Sequence, residues 1–390
     1  MTEILTSIHG NEIGLDAVGR LIVRGGLEGL GVNATRYGMR GNRDPLSATE
    51  NSAAFMRAYE AAKADKGLLV IPNGWYYMAP MDLTGADQGV TIIGESWNDN
   101  IGESPEVGGA VLELASNSND SLFTVAADCA PIHFKNLFLR GNQAGQTTGT
   151  SHAVEFSDAG SPSRSGTFER VRMERWRSGA VAIGTYRDAG KMDLCVILTC
   201  GYQSNGTPVV TRGDGILAGS CNDWRFTRVD CGANGRHGFY STGAGTVLMG
   251  QCNWFSNLGS GIKLDALTGQ FDYSCGSIDR NELEGVVLVG SASSTRMYGR
   301  TFSQMLFSGN CNAANDTYAD IRIADDALGT TALIAPSFSR GQFTNYPKYN
   351  IQTTGTTTGV HVLASRYRTD AAASYVTAYT NDVSKLIVYS

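Results

Sequence analysis

Three acidic side chains, Asp230, Asp193 and Glu174, are the strongest candidates for chemistry in this sequence of 390 residues. Two carboxyl groups that face each other can cleave a glycosidic bond, one as general acid and the other as base or nucleophile. The groups stand ~5–5.5 Å apart for retention of configuration and ~6.5–9.5 Å apart for inversion. Carboxylates on strands one or two positions apart in a sheet, at ~4.8 Å per strand, can meet either distance. We therefore predict that Asp230, with Asp193 or Glu174, forms a catalytic pair.

These carboxylates fall on one face when successive runs of the sequence are aligned as stacked strands. The aligned runs are 224–231, 247–254 and 271–278. Cys231, Trp254 and Ile278 then form an apolar column, which is predicted to point inward. Alternation along each strand sends the intervening positions outward. That outward face mixes aromatic, amide and charged side chains, which can stack on sugar rings and bind hydroxyl or carboxylate groups.

The same alternation predicts which residues bind a substrate. The face is extended to earlier coils by keeping Val171 and Met173 inward, and by keeping Leu194, Val196, Leu198 and Cys200 inward. A second polar column, which comprises Asp214, His237, Ser260 and Glu284, is an alternative site, and its His237 is also predicted to bind substrate. The predicted substrate-binding residues are Trp224, Arg228, Arg170, Arg172, Gln251, Asn253, Tyr273 and His237. The face could instead pack against a neighbouring subunit, and both alternatives hold if the site lies between chains.

Other catalytic chemistry is not indicated by the sequence. The motifs GxSxG, HExxH, GxxxxGK[ST] and the EF-hand loop are absent. None of the five histidines has the spacing of a metal-binding pair, and the eight cysteines form no CxxC motif. We therefore predict no metal and no other cofactor. Most of the cysteines stand beside β-branched or aromatic residues, so they are interpreted as reduced residues of the core.

A repeat in the sequence predicts the framework that positions these residues. Glycines followed by an apolar residue occur at Gly215, Gly238, Gly261 and Gly285, at spacings of 23, 23 and 24. An asparagine stands four residues before each of the last three, at Asn234, Asn257 and Asn281. A fixed period of this length is typical of a solenoid, in which stacked coils bury one continuous core. The predicted fold class is all-β, a single-stranded parallel β-helix.

The N-terminal part of the chain resembles a known family. The run 37–44, an amphipathic helix over 49–66 and the segment 69–76 are similar to the capping module of pectate-lyase-like proteins. Many phage tailspikes and polysaccharide depolymerases share that module, in which a short helix caps a right-handed parallel β-helix. The resemblance covers about 40 residues. Asn42-Arg43-Asp44 departs from the acidic, Gly-rich stretch common in relatives, in a loop that is not catalytic in the family.

Composition and charge exclude several protein classes. Hydrophobic residues make up 42% of the chain and charged residues 17%, which argues against disorder and against a coiled coil. The net charge of −6 lacks the basic excess of a nucleic-acid-binding protein. No apolar run approaches the ~18 residues of a membrane span, and the N-terminus lacks the features of a signal peptide. We therefore predict neither nucleic-acid binding nor membrane insertion.

Four segments are predicted along the chain. An N-terminal β unit and linker occupy residues 1–33, and the pectate-lyase-like capping module occupies 34–84. The parallel β-helix follows over 85–326. The Thr- and Tyr-rich segment 327–390 breaks the repeat and is predicted to form a β-rich C-terminal cap. The resemblance to tailspikes implies that this last segment also holds a homotrimer together.

Taken with the residues, the resemblance supports three hypotheses of function. The first is a phage tailspike, located in the virion tail, that hydrolyses a bacterial capsule, exopolysaccharide or O-antigen. Its partners would be the polysaccharide, two further copies of the chain and a tail or baseplate protein bound through the N-terminus. The second is a lyase that cleaves a uronate polymer by β-elimination, with Arg236-His237, Tyr240 or Lys263 near the base. The third is a receptor-binding tail fibre that binds sugar without cleaving it.

Overall fold

A computed structural model gives the architecture over most of the chain. Between residues 31 and 324 it describes backbone and side chains, apart from short gaps. Outside that range it describes mainly the backbone of individual strands. The described ranges are 4–8, 11–15, 21–24, 31–65, 67–85, 89–97, 109–129, 131–159, 163–203, 206–208, 213–243, 245–265, 270–289, 297–311, 313, 318–324, 328–334, 337–339, 349–353, 358–363, 366–367, 378–379 and 386–389. The predicted linker after residue 24 lies largely outside them.

Three parallel sheets, here called A, B and C, run along the described chain. Sheet A contains Val32–Asn33, Leu68–Ile71, Val90–Gly94, Lys191–Asp193, Trp224–Thr227, Val247–Gly250, Phe271–Ser274, Met297–Ser303, Leu328–Ile334, Thr358–Leu363 and Leu386–Tyr389. Sheet B contains Gly74–Met78, Ala110–Leu114, Val196–Leu198, Asp230–Gly232, Asn253–Phe255, Ser277–Asp279, Leu306–Ser308, Ser337–Ser339 and Arg366–Tyr367. Sheet C contains Met81–Leu83, Phe123–Val125, His152–Phe156, Gly179–Ile183, Asp214–Ala218, Phe239–Ser241, Ile262–Asp265, Val286–Val289, Ala319–Ala324, Tyr349–Thr353 and Ala378–Tyr379. Two long strands, Ile132–Arg140 and Gly166–Glu174, bend and belong to both A and B.

From Leu68–Ile71 onwards, each complete turn of the chain contributes one strand to each sheet, and that strand pairs with its equivalent in the next turn. Ile216 pairs with Phe239, Phe239 with Ile262, and Ile262 with Val286. These are the apolar residues that follow the repeated glycines, so the period of 23–24 residues is the length of one coil. The predicted parallel β-helix is confirmed, because the strands stack in parallel and in register rather than as hairpins.

The interior is one continuous apolar column. Aromatic rings follow one another along it, with centroids 5.4 Å apart for Phe55 and Phe123 and 5.2 Å apart for Phe134 and Phe168. Cys231, Trp254 and Ile278 are fully buried and pair in register, as predicted. Seven of the eight cysteines are also buried and all eight are free, whereas Cys275 is exposed.

The corner between sheets A and B reverses the alternation of side chains. Arg228 adopts the left-handed conformation, with φ of 53°, between the strands Trp224–Thr227 and Asp230–Gly232. Equivalent left-handed residues, with φ between 52° and 56°, form a corner row: Asn136, Arg170, Leu194, Arg228, Gln251, Cys275 and Gln304. Before the corner the even-numbered Trp224 and Phe226 point inward, and after it the odd-numbered Val229 and Cys231 do.

Two predicted sugar-binding residues therefore belong to the core. Trp224 is fully buried and donates its indole N–H to the carbonyl of Arg187 at 2.8 Å. Tyr273 is 1% exposed and donates its hydroxyl to the carbonyl of Cys252 at 2.5 Å. The prediction that both face outward was wrong, because it carried period-two alternation across a corner where the phase changes. The inward placement of Leu194, Val196 and Leu198 was wrong for the same reason. Met192, Cys195 and Ile197 point inward instead.

A ladder of buried asparagines runs along the turn that leads from sheet B to sheet C. The Nδ2 of Asn234 donates to Oδ1 of Asn257 at 2.8 Å, and Asn257 donates likewise to Asn281 at 2.8 Å. Asn281 continues to Asn310 at 2.9 Å, and Asn310 donates to Oδ1 of Asp320 at 2.9 Å. Each Oδ1 also accepts the backbone N–H of the preceding asparagine, so the amides satisfy the buried turns of successive coils.

The N-terminal end of the described core is closed by the helix Ala48–Ala64. Its buried face includes Ala54, Phe55 and Ala58, and Gly67 takes the left-handed conformation, with φ of 68°, just beyond its end. The capping helix predicted over 49–66 is thus confirmed. Ahead of it, Ile4–Ile8, Asn11–Leu15 and Leu21–Arg24 form an antiparallel sheet, while Ser163–Arg164 and Arg187–Asp188 form a small parallel pair.

Parallel stacking crosses two of the boundaries predicted between segments. Leu68–Ile71 already pairs with Val90–Gly94, on either side of position 85. Beyond position 326, Leu328–Ile334 pairs in parallel with Thr358–Leu363, which pairs in parallel with Leu386–Tyr389. Residues 375–377 of the predicted cap lie outside the described residues. The division into four segments stays a prediction, but the repeating strand arrangement does not stop at its boundaries.

Candidate functional site

Two outward rows of side chains run along sheet B, because alternate residues of its short strands face away from the core. The first row is Trp75, Val111, Phe138, Arg172, Val196, Asp230, Asn253 and Ser277. The second row is Tyr77, Glu113, Arg140, Glu174, Leu198, Gly232, Phe255 and Asp279. Aromatic, cationic and acidic residues are therefore held at the spacing of the strands, ~4.8 Å.

An open cleft of about 350 Å³ lies on these rows. Its floor is apolar at one end, where Val196 and Leu198 project, and acidic in the middle and at the other end. The lining residues are Val196, Leu198, Asp230, Asn253, Phe255, Ser277, Asp279 and Arg280. Two of the predicted site residues, Asp230 and Asn253, are thus brought together here.

A chain of hydrogen bonds orients Asp230 in the cleft. Ser277 donates its Oγ hydrogen to Oδ1 of Asn253 at 2.7 Å, and Nδ2 of Asn253 donates to Oδ1 of Asp230 at 2.6 Å. The three residues occupy the same position on neighbouring strands, so one row of the sheet builds the whole chain. The bond to Asp230 uses one of its two carboxylate oxygens and leaves the other for a ligand.

Asp279 supplies a second carboxylate to the same cleft. Its Oδ2 lies 2.6 Å from Nε of Arg280, and a quarter of the Asp279 side chain is exposed. Asp279 is two strands and two residues away from Asp230, which puts their Cα atoms about 12 Å apart. Both side chains line the cleft. The sequence alignment stopped at Ile278, so extending it by one residue would have placed Asp279 outward.

The other two predicted catalytic residues lie outside the cleft. Asp193 is on sheet A, beyond the corner, where Nη2 of Arg228 approaches its Oδ1 at 2.8 Å and Nζ of Lys191 approaches its Oδ2 at 3.6 Å. Glu174 lies in the second outward row of sheet B, where Nη2 of Arg172 approaches its Oε2 at 2.9 Å. Neither carboxylate is among the residues that line the cleft.

The remaining predicted binding residues divide between the corner and another sheet. Arg170, Arg228 and Gln251 are exposed in the corner row, beside the cleft but not among its lining residues. His237 lies at the start of sheet C, is 8% exposed and takes no part in the cleft. Its Nδ1 accepts the backbone N–H of Ser260 at 2.9 Å.

A second cluster of ionisable residues surrounds Tyr240 on sheet C. The guanidinium carbon of Arg236 lies 4.6 Å from the centre of the Tyr240 ring, and Nζ of Lys263 lies 4.8 Å from it. Arg236 also pairs with the buried Asp214, and Tyr240 donates its hydroxyl to Asp265 at 2.6 Å. Burial, helped by the charges of Arg236 and Lys263, lowers the pKa of His237 to about 3. Burial and the bond to Asp265 raise the pKa of Tyr240 to about 12.

Neither a metal site nor a membrane-spanning helix is found among the residues that the structure describes. No group of three histidine, cysteine or acidic side chains in these residues has an arrangement suited to a metal ion. No described helix has both the length and the apolar composition needed to cross a membrane.

Solved structures with the same architecture are similar along nearly the whole chain, whereas no protein-family model and no curated protein sequence matches it. The A-module of mannuronan C-5 epimerase AlgE6 from Azotobacter vinelandii is 16% identical, with a TM-score of 0.60 over 92% of this chain and 99% of that chain. DFA-IIIase from Arthrobacter chlorophenolicus A6 is 16% identical, with a TM-score of 0.59 over 92% and 91%. The enzymatically active domain of tailspike protein 2 from bacteriophage CBA120 is 12% identical, with a TM-score of 0.59 over 92% and 50%. At these identities the similarity establishes the fold, a parallel β-helix that phage tailspikes and polysaccharide-acting enzymes share.

Proposed function

We propose that the protein is a phage tailspike that binds and hydrolyses a bacterial surface polysaccharide in the cleft of sheet B. The observation that carries the proposal is the pair of carboxylates, Asp230 and Asp279, in one open cleft on a flat row of strands. A cleft that is open along the sheet admits the middle of a polymer chain. The similarity to a tailspike domain and to two enzymes named for carbohydrate substrates agrees with this proposal.

The Cα separation of about 12 Å is wide for a retaining pair and favours inverting hydrolysis, in which a water molecule stands between base and sugar. Asp279 accepts a proton from the water, whose oxygen bonds to the anomeric carbon. The glycosidic bond breaks at the same time, and Asp230 donates its proton to the departing oxygen. Asp279 is assigned as the base because it pairs with the cation Arg280. Asp230 is assigned as the acid because its hydrogen-bond partner, the amide of Asn253, is neutral. Proton exchange with water restores both groups.

The test begins with the full chain and a panel of capsular, exo- and O-antigen polysaccharides, scored by polymer length and product mass. Loss of a general acid or base costs ~10²–10⁴ in rate, so Asp230→Asn and Asp279→Asn should each lose activity by about that factor. Asp193→Asn is the matched control, because it removes a carboxylate of the neighbouring sheet and should retain cleavage within a few-fold. Near-normal cleavage by Asp230→Asn would remove the cleft from the mechanism.

The same panel of polysaccharides distinguishes the hydrolase hypothesis from that of a receptor-binding fibre without activity. A fibre would bind a polymer while its length stays constant. We also propose that the protein acts as a homotrimer in the virion tail and is attached through its N-terminal part. This assembly is the one implied by the resemblance to tailspikes.

A lyase that acts on the Tyr240 cluster is the second candidate. Arg236 and Lys263, which flank the Tyr240 ring, could neutralise the carboxylate of a uronate before a proton is removed. The available bases favour it less, because Nδ1 of His237 already accepts a backbone hydrogen bond and Tyr240 holds its proton to about pH 12. Elimination leaves an unsaturated sugar, so products that absorb ultraviolet light would favour this candidate over hydrolysis.

A further inference from the structure

A cluster of arginines lies on the same two rows of sheet B as the cleft, towards the capping helix. Its cations are Arg43, Arg140, Arg172 and Arg175, and its carboxylates are Glu113 and Glu174. We call these six residues the basic cluster. Four cations against two carboxylates give an excess of two positive charges, in a protein whose net charge is −6.

Three ion pairs in the basic cluster are longer than hydrogen bonds. Nη1 of Arg140 lies 3.6 Å from Oε2 of Glu113, and Nε of Arg140 lies 3.8 Å from Oε1 of Glu174. Nε of Arg175 lies 3.7 Å from the same Glu174 oxygen. The buried Nε of Arg140 and the buried Oε2 of Glu113 have no hydrogen-bond partner. Buried polar atoms without partners are costly, so these groups are incompletely satisfied within the chain.

Aromatic rings hold the arginine side chains in place. The guanidinium carbons of Arg43 and Arg140 lie 4.1 Å and 5.1 Å from the centre of the Trp75 ring. That of Arg172 lies 5.0 Å from the centre of the Phe138 ring. Stacked guanidinium groups keep their planes fixed and lose little freedom when they bind a carboxylate with two parallel hydrogen bonds.

Burial raises the pKa of Glu113, although Arg140 and the neighbouring arginines oppose this. Any protonation of Glu113 increases the positive excess of the cluster. The cluster also adjoins the cleft directly. Val196 and Leu198, which line the cleft, stand next to Arg172 and Glu174 on the neighbouring strand. Arg172 is two strands from Asp230 in the same row, or about 10 Å.

From this geometry we infer that the basic cluster is a subsite for a carboxylate-bearing sugar of the polymer, next to the cleft along the rod. The inference rests on the proposed function, since the cleft is where that polymer would be cut. It identifies the substrate class as an acidic polysaccharide that contains uronate. Arg43 and Arg175 are exposed, so they would make the first contacts with the sugar carboxylate.

The test measures binding and does not depend on cleavage. The full chain with Asp230→Asn is run in affinity gels that contain polygalacturonate, alginate or hyaluronate, with neutral dextran as the reference polymer. The background variant is compared with one that also carries Arg43→Gln and Arg175→Gln. The matched control carries Arg225→Gln, which removes an exposed arginine from sheet A. Thermal melting establishes that every variant is folded.

At least one uronate polymer should retard the background protein more than dextran does. The double arginine variant should bind that polymer at least tenfold more weakly, and the Arg225→Gln control should not. Added salt should weaken the binding of the background protein more than that of the double variant. Equal binding by the double variant, or no preference for any uronate polymer over dextran, would overturn the subsite. Such a result leaves the hydrolase proposal standing, whereas uronate binding without cleavage by the unmodified chain would count against the hydrolase alone.

Discussion

Replacement of Asp320 by asparagine tests whether the last member of the asparagine ladder makes stability depend on pH. Asp320 is 3% exposed, and its Oδ1 accepts one hydrogen bond from Asn310. Burial raises the pKa of Asp320 from 3.8 to about 7, against a smaller lowering by the Asn310 bond. An ionised carboxylate at this position is thus an unfavourable group in the folded protein.

The direction of the effect follows from proton binding. Because the folded pKa lies above the unfolded value, the folded state binds more protons between about pH 4 and pH 7. The stabilisation is fully present below the unfolded pKa of 3.8 and is lost as the pH rises through about 7. At 1.36 kcal/mol for each pH unit, the loss is at most about 4 kcal/mol. Asparagine cannot ionise and has an N–H where the protonated acid has an O–H, so Asp320→Asn should keep the ladder and abolish the loss.

The assay is urea unfolding at a series of pH values from about 4 to 9, for the unmodified chain, Asp320→Asn and Asp82→Asn. Asp82 is exposed on a strand of sheet C and serves as the matched control. The free energy of unfolding of Asp320→Asn should match that of the unmodified chain near pH 4 and exceed it by up to about 4 kcal/mol above pH 8. A difference that does not change with pH, or a variant that is less stable at pH 8, would refute the reasoning.

Two further predictions concern the core and the assembly. Trp224→Ala should lower the free energy of unfolding by about 3–5 kcal/mol in urea, because it removes a fully buried indole; loss of sugar binding at unchanged stability would contradict this. Light scattering at micromolar concentration should give three times the chain mass of 41.5 kDa, and the mass of one chain would refute the trimer.

The coil period could be predicted from the sequence because certain positions in each coil require one residue type. Asn257 must donate to the next coil and accept from the previous one, which fixes an amide at each turn. The small residue Gly238 leads into the strand whose Phe239 enters the core. Requirements of this kind recur at every coil, so they leave a period that can be read along the chain.

The phase of the outer face could not be predicted, because the left-handed corner has no characteristic residue type. Arg228, Gln251 and Cys275 occupy equivalent corner positions with nearly the same φ, and none of them is a glycine or asparagine that would mark the turn. A corner of this kind shifts the alternation by one residue. Asp230 and Asn253 were correctly predicted to face outward, because they follow the corner. Trp224 precedes it and was placed on the wrong face.

The corner row has a consequence for how such a rod can diversify. Its backbone conformation is the same at Arg170, Leu194 and Gln251, although these side chains share neither size nor charge. The hydrogen bonds of the corner come from the backbone, as when the N–H of Gln251 donates to the carbonyl of Ser274 at 2.9 Å. Mutation can therefore exchange one outward group for another along this edge while the scaffold stays constant. Substitutions in the corner row, which lies beside the cleft, can therefore change what the protein binds one coil at a time.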